Sequence, residues 1–254
     1  MMRIAALLAA LALSATPLGG CAGDDGGEGG KARLTVSAAQ SLQAAFEDYG
    51  ARFDPATARF SFAGSDALAA QIRQGVRPDV YAAASPELPR RLFREGLVEE
   101  PVEFAGNRLV IAVPADSTID GVADLGREGT ALAVGAETAP VGAYTREVLG
   151  RLPAAQRRAV LANVRSLEPD VSGVVGKLTQ GAADAGLLYA TDVQGAGGRL
   201  RTIELPSRLR PRVTYVAAVV KGAKEPTAAR AFIDGLLSGP GRAALRRAGF
   251  VAPR

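Results

Sequence analysis

The sequence predicts an α/β protein arranged as two βα blocks, and three observations lead there. Strand-like and helix-like segments alternate from Arg33 almost to the C-terminus. Apolar residues make up 48% of the 254 residues, enough for a sizeable core in one large domain or two modest ones. The strand-helix units form one group before Asn107 and another after Gly129, with long apolar strands at 109–113 and 213–220 as candidates to link them. The alternation argues for largely parallel sheets with helices on both faces.

The elements follow in chain order. RLTVSAA is a short apolar strand, and SLQAAFEDYGARF puts Leu42, Ala45, Phe46 and Tyr49 on one helical face. ARFSFAG is a strand with SDALAAQIRQG as the helix after it, and DVYAAA is a strand followed by the helix PELPRRLFREG. NRLVIAVP is the first long strand. In the second block TALAVGA, VRSLEP and DAGLLYAT are strands, and VGAYTREVLGRL and VSGVVGKLTQG are helices. RVTYVAAVV is the second long strand, and the helices PTAARAFIDGLL and GPGRAALRRAG close the chain. Asp79 and Asp184 precede strands and read as turn residues, while Asp192, after a strand end, reads as a loop or cap residue.

Composition narrows the chemistry. Histidine is absent, which removes the commonest metal ligand and the usual neutral-pH general base. The single cysteine permits neither an intramolecular disulfide nor a thiolate metal cage. The net charge of +4 is spread among interleaved acids and bases, with no basic stripe that would suit nucleic acid. No P-loop signature occurs, so nucleotide hydrolysis is not expected of this chain.

The N-terminus reads as an address. One arginine, an apolar run over 4–13 and then small residues have the layout of a short secretory signal covering 1–20. Leu18-Gly19-Gly20-Cys21 resembles a bacterial lipobox, in which the cysteine becomes the first residue and is acylated. The Gly-rich acidic tract that follows, in 21–32, reads as a tether. An extracytoplasmic protein held to a membrane surface through lipid on Cys21 is the expectation.

Four helix starts share one chemistry. Ser41 opens the first helix and Ser65 the second; Val141 follows Pro140, and Val171 follows Asp170. The first N–H groups of a helix lack internal partners, and the macrodipole adds about half a positive charge there. Together they make an anion site. Each serine alone reads equally as a plain N-cap. All four starts, however, lie at the carboxyl ends of strands, where open α/β sheets gather ligands.

The pieces SAAQSLQAAF, FAGSDALAAQIRQGVRPDVYAAAS, AGNRLVIAVP, PVGAYTREVL, AGLLYATD and GPGRAALRRAGF, in that order, resemble the molybdate-binding proteins of bacterial ABC importers. The resemblance runs from about Arg33 to the C-terminus. It implies a type II periplasmic binding-protein fold, two α/β domains with a hinge and an interdomain cleft. The domains would be 33–109 with 215–254, and 110–214. It further implies molybdate or tungstate held by the hydroxyls and amides of Ser41 and Ser65, the amides of Val141 and Val171 and the hydroxyl of Tyr189, with no cofactor or resident metal. A monomer delivering its anion to a membrane permease with a cytoplasmic ATPase completes the implied picture. Two positions depart from the family: Gln40 replaces a small residue, and Asp66 stands where serine is frequent, so both bear on selectivity.

A shell of neutral donors favours an oxyanion without a proton, such as molybdate, tungstate or sulfate. Hydrogen phosphate would bury an unpaired O–H. A serine hydrolase is the competing class. Histidine is absent, neither serine lies in a G-x-S-x-G elbow, and no lysine is near either in sequence. The expectation is a binding protein rather than an enzyme. A homologue that kept the fold and lost the ligand is the remaining alternative.

Overall fold

A computed structural model describes residues 31–253. The expected signal, Cys21 and nearly all of the tether lie outside the described residues. No described helix is long and apolar enough to cross a membrane.

Among the described residues, ten strands form two five-stranded sheets. In the first, β1 (Arg33–Ala39) is flanked in parallel by β2 (Thr57–Ala63) and β3 (Val80–Ala83). Two more strands complete it, β10 (Val213–Val219) between β3 and β4 (Val102–Asn107), and β10 runs antiparallel to both. In the second sheet, β6 (Leu132–Gly135) pairs in parallel with β7 (Val164–Glu168) and β8 (Ala185–Tyr189). Antiparallel to β8 runs β5 (Leu109–Pro114), with β9 (Leu200–Glu204) on its other edge.

Both sheets are therefore mixed, where the alternation alone suggested largely parallel ones. The physical reason lies in the crossings. A parallel neighbour needs a long crossover connection. Between β4 and β5 stands only Arg108, so β5 enters the second sheet directly from the first. The chain returns through 205–212 into β10. The entering strands β5 and β10 are the antiparallel ones.

Nine α-helices cover the sheets among the described residues. On the first sheet lie α1 (Gln43–Gly50), α2 (Ser65–Arg73), α3 (Glu87–Arg94) and α8 (Pro226–Leu237), with α9 (Gly239–Arg247) packed against α1 and α8. Those of the second are α4 (Pro140–Gly150), α5 (Ala154–Ala162), α6 (Val171–Thr179) and α7 (Ala190–Gly195). Local pattern alone did not single out β4, β9, α5 or α7.

An aromatic cluster ties α1 and α8 to the first sheet. Phe46 meets Phe232 edge-on at 5.4 Å between centroids, Tyr49 lies 4.6 Å from Phe232, and Phe104 is 6.0 Å from Phe46. Asp79 is no ordinary turn residue. It is buried, and its carboxylate accepts from the Thr35 N–H and Oγ1, each at 2.7 Å, and from the Glu225 N–H at 2.9 Å. One side chain thus joins β1, the approach to β3 and the start of α8. Burial alone would raise its pKa, but these donors outweigh that effect and hold it below the usual carboxylate value. Asp184 does behave as a turn acceptor, taking the Ala131 N–H at 2.7 Å.

Candidate functional site

The four helix starts do lie at strand ends. After β1 the chain makes a 3-10 turn, Gln40–Leu42, before α1 begins, so Ser41 sits in that turn rather than in the α-helix. A single residue, Gly64, links β2 to α2, and Ser65 is the first helical residue. Pro140, which has no N–H to leave unpaired, opens α4 and Val141 follows it. Asp170 caps α6, and Val171 is its first residue.

These positions converge. Ser41, Ser65, Val141, Val171 and Tyr189 all line one cavity of about 20 Å³, together with Gln40, Gly64, Pro140 and Asp170. That is somewhat above the ~10–15 Å³ a water needs and far below the ~300–1,000 Å³ of a pocket for a drug-sized molecule. No lysine or arginine lines it, and Asp170 is the one charged residue in its wall.

Ser65 is not an N-cap. Gly64 holds that place and no side chain caps the helix. Instead the buried Ser65 Oγ accepts from the Ala84 N–H at 3.1 Å, beyond the end of β3, and its carbonyl accepts from the Tyr81 hydroxyl at 2.7 Å. The serine is therefore locked to the neighbouring strand. The first helical bond of α2 is the Leu68 N–H to Gly64 O, at 3.1 Å, so the amides of Ser65 and Asp66 precede it. In α4 the corresponding first bond is Ala143 N–H to Ala139 O, at 2.9 Å, leaving Val141 and Gly142 ahead of it. Gly142 permits close docking of α4 on the end of β6: a methyl there would overlap the Ala136 carbonyl oxygen.

The start of α6 is partly taken. Asp170 Oδ1 accepts from the Ser172 N–H at 2.8 Å, the Ser172 hydroxyl at 2.6 Å and the Gly173 N–H at 3.3 Å. Of that first turn only the Val171 amide remains ahead of the capped pair. Gln40 lines the cavity, and its side-chain amide donates to Gln43 Oε1 at 2.7 Å. Asp66, by contrast, does not line the cavity, although its Oδ1 is buried without a partner.

Tyr189 ends β8 opposite Leu109, beside the crossing between the sheets. Its side chain is 1% exposed, and its hydroxyl has no hydrogen-bond partner. Burial pushes this phenol well above its ordinary pKa, so it stays protonated as a donor. Asp192 takes the Tyr189 N–H at 3.0 Å and so caps α7, in keeping with the cap reading. Burial pushes its carboxyl up to about 7, with Asp170 adding to the rise and the Tyr189 N–H opposing it.

Two site residues carry no sequence signal that local pattern could use. Tyr215, on β10, places its hydroxyl 2.8 Å from Ser41 Oγ. Asn107, at the end of β4, reaches the same hydroxyl at 3.5 Å. Both are buried. The β10–β4 register shifts between Tyr215 and Val216, a bulge of the kind that re-aims a side chain. The Tyr189 ring lies 5.8 Å from that of Tyr215 and 6.3 Å from that of Tyr144.

The chain matches the family model of bacterial extracellular solute-binding proteins over residues 34–251. It is 32% identical over 231 residues to the molybdate-binding protein ModA of Mycobacterium tuberculosis, covering 88% of this chain and 86% of that protein. Among solved structures it resembles the substrate-binding domain of a putative molybdenum ABC transporter from Clostridium difficile. That match has 26% identity and a TM-score of 0.68 over 88% of this chain and 100% of the other. The periplasmic molybdate-binding protein of Azotobacter vinelandii superposes with a TM-score of 0.77 at 20% identity, over 87% and 100% of the two chains, and so supports the fold. Two α/β sheets joined by two crossings, with strand ends and helix starts meeting at one cavity, make this a periplasmic binding-protein fold, and the chain belongs to the family of bacterial extracellular solute-binding proteins.

Proposed function

We propose that this protein captures molybdate, and tungstate with it, in the cavity lined by Ser41, Ser65, Val141, Val171 and Tyr189, and hands it to an ABC permease driven by a cytoplasmic ATPase. The observation that carries the reading is Tyr189: a buried hydroxyl without a protein partner, lining a cavity with two serines and three helix starts. A buried donor left unpaired costs about 1–3 kcal/mol, which a bound anion would recover. The relatives named for molybdate point to the same class of ligand.

The wall suits a small, fully ionised oxyanion. Its donors are hydroxyls and helix-start amides, and hydrogen bonds to a charged group contribute roughly 1.5–3 kcal/mol each before desolvation is subtracted. The sum makes micromolar or tighter binding reasonable, on the order of 8 kcal/mol. Two lobes, 33–109 with 215–254 and 110–214, would close on the anion by bending at the two crossings. This reading is of a monomeric carrier and not an enzyme, tethered outside the cytoplasm by lipid on Cys21.

Calorimetric titration with molybdate, tungstate, sulfate and phosphate tests it. Molybdate and tungstate should bind with micromolar or tighter affinity and phosphate far more weakly. Preference for sulfate would move the assignment to another tetrahedral oxyanion, and absence of heat with all four would overturn the binding role.

A further inference from the structure

The charge around the cavity has the wrong sign for an anion. No lysine or arginine lines it, while the Asp170 carboxylate does. A second carboxylate, Asp192, is joined to the same wall: it accepts the N–H of Tyr189, a wall residue, at 3.0 Å. A bound dianion would add two negative charges beside this pair.

The two carboxylates are differently placed to respond. Asp170 takes three donors from Ser172 and Gly173 at the start of α6. Asp192 takes the Tyr189 N–H on Oδ2. From α6 it faces Asp170, a charge of its own sign. From β8 and β10 it faces the phenols of Tyr189 and Tyr215, both kept protonated by burial. Strands β5 and β9 also pack against α7; there Arg108 pairs with Glu204, and Arg201 with Asp120. Lys177 of α6 pairs with Glu168, and Arg247, whose carbonyl Gln194 of α7 reaches, pairs with Asp48. Burial, with the Tyr189 N–H opposing it and Asp170 adding to it, has already pushed the Asp192 carboxyl up to about 7.

Resting on the oxyanion reading above, we propose that capture of the anion is coupled to uptake of a proton from solvent by Asp192, so that the site tightens as pH falls through neutrality and lets go more readily as pH rises. The sign follows from the charges. A dianion in the cavity disfavours the ionised carboxyl and raises its pKa further. Binding and protonation then favour each other by the same factor, as linkage requires. Affinity is full below about pH 6 and falls roughly tenfold by about pH 8. Histidine is absent, so no imidazole titrates in this range. Molybdate itself carries no proton there.

Calorimetric titration of the full-length protein with molybdate, in phosphate-free buffers of low and high ionisation enthalpy, counts the protons. About half a proton should enter with each anion at about pH 7, and affinity at about pH 6 should exceed that at about pH 8 roughly tenfold. Asp192→Asn keeps an oxygen for the Tyr189 N–H and discards the charge. That variant should take up no proton and should hold the parent's low-pH affinity up to about pH 8, a gain that a damaged fold would not produce. Binding by the parent without proton uptake and with equal affinity at both ends of the range overturns the coupling. So does uptake that persists undiminished in Asp192→Asn, with thermal unfolding showing that the variant is folded. If it is not folded, the parent's proton count and pH series decide alone. Failure of the parent to bind molybdate at any pH in the series overturns the oxyanion reading, and the coupling with it.

Discussion

Tyr189 carries a phenolic hydroxyl that is buried, unpartnered and neutral. Replacing it with phenylalanine removes the orphan group and keeps the ring between those of Tyr144 and Tyr215. Tyr189→Phe should therefore cost affinity for the anion, roughly tenfold to a hundredfold, while raising ligand-free stability by about 1 kcal/mol. Calorimetry reads the first effect and denaturant unfolding the second. A purely structural tyrosine would leave affinity unchanged. Ser65 shows how much of a residue's role its sequence context discloses. The G-S-D corner marks a helix start correctly, because glycine, serine and a strand-like run are local signals. It does not disclose that Gly64 takes the cap position and that Ser65 Oγ accepts the Ala84 N–H, since Ala84 lies 19 residues on. The convergence of Ser41, Ser65, Val141, Val171 and Tyr189 on one cavity was legible through the ordered motifs. Tyr215 and Asn107 were not, because their relation to Ser41 depends on an irregularity in the β10–β4 register and on side-chain hydrogen bonds spanning 174 and 108 residues.

At the scale of elements, helix starts and strand pairs do most of the positioning. Of the four helix starts, α6 is the one whose amides are partly claimed by its own cap, so it offers the cavity less than α2 or α4. Asp79 is the comparable device within the first sheet, joining β1 to the start of α8 through three donors. Its replacement by alanine would strand the Thr35 and Glu225 amides, at a cost on the order of 2–4 kcal/mol in denaturant unfolding. The pH dependence has a definite sign. A carboxyl whose folded pKa lies below its unfolded value of 3.8 adds stability that is fully present above that value. That contribution is lost as pH falls through the folded value. Acid unfolding of the parent should therefore show a loss below about pH 4 that Asp79→Ala lacks. Strand direction was the least legible feature of the elements. Apolar runs identify β5 and β10, and their place between the two blocks marks them as the links, but nothing within them gives their direction, which is why the sheets are mixed where largely parallel ones were expected.

The whole molecule is organised around its crossings. Asn107 and Leu109 flank the first, Tyr189 pairs with Leu109, and Val213 at the second pairs with Asn107, so the site's walls are built on the crossings themselves. Across the cleft Gly64 approaches Pro169 closely: a methyl on Gly64 would stand 2.8 Å from the Pro169 carbonyl oxygen and 2.9 Å from Asp66 Oδ1. Glycine is thus what lets α2 and the start of α6 meet around the cavity. An oxyanion seated where these pieces meet would be located by anomalous diffraction at the molybdenum edge. Crystals grown with molybdate should show a single strong anomalous peak inside the cavity, placed so that the oxygens around it reach Ser41 Oγ, Ser65 Oγ, Tyr189 Oη and the amides of Val141 and Val171. A peak elsewhere, or none in crystals whose cavity is open to solvent, would contradict the account.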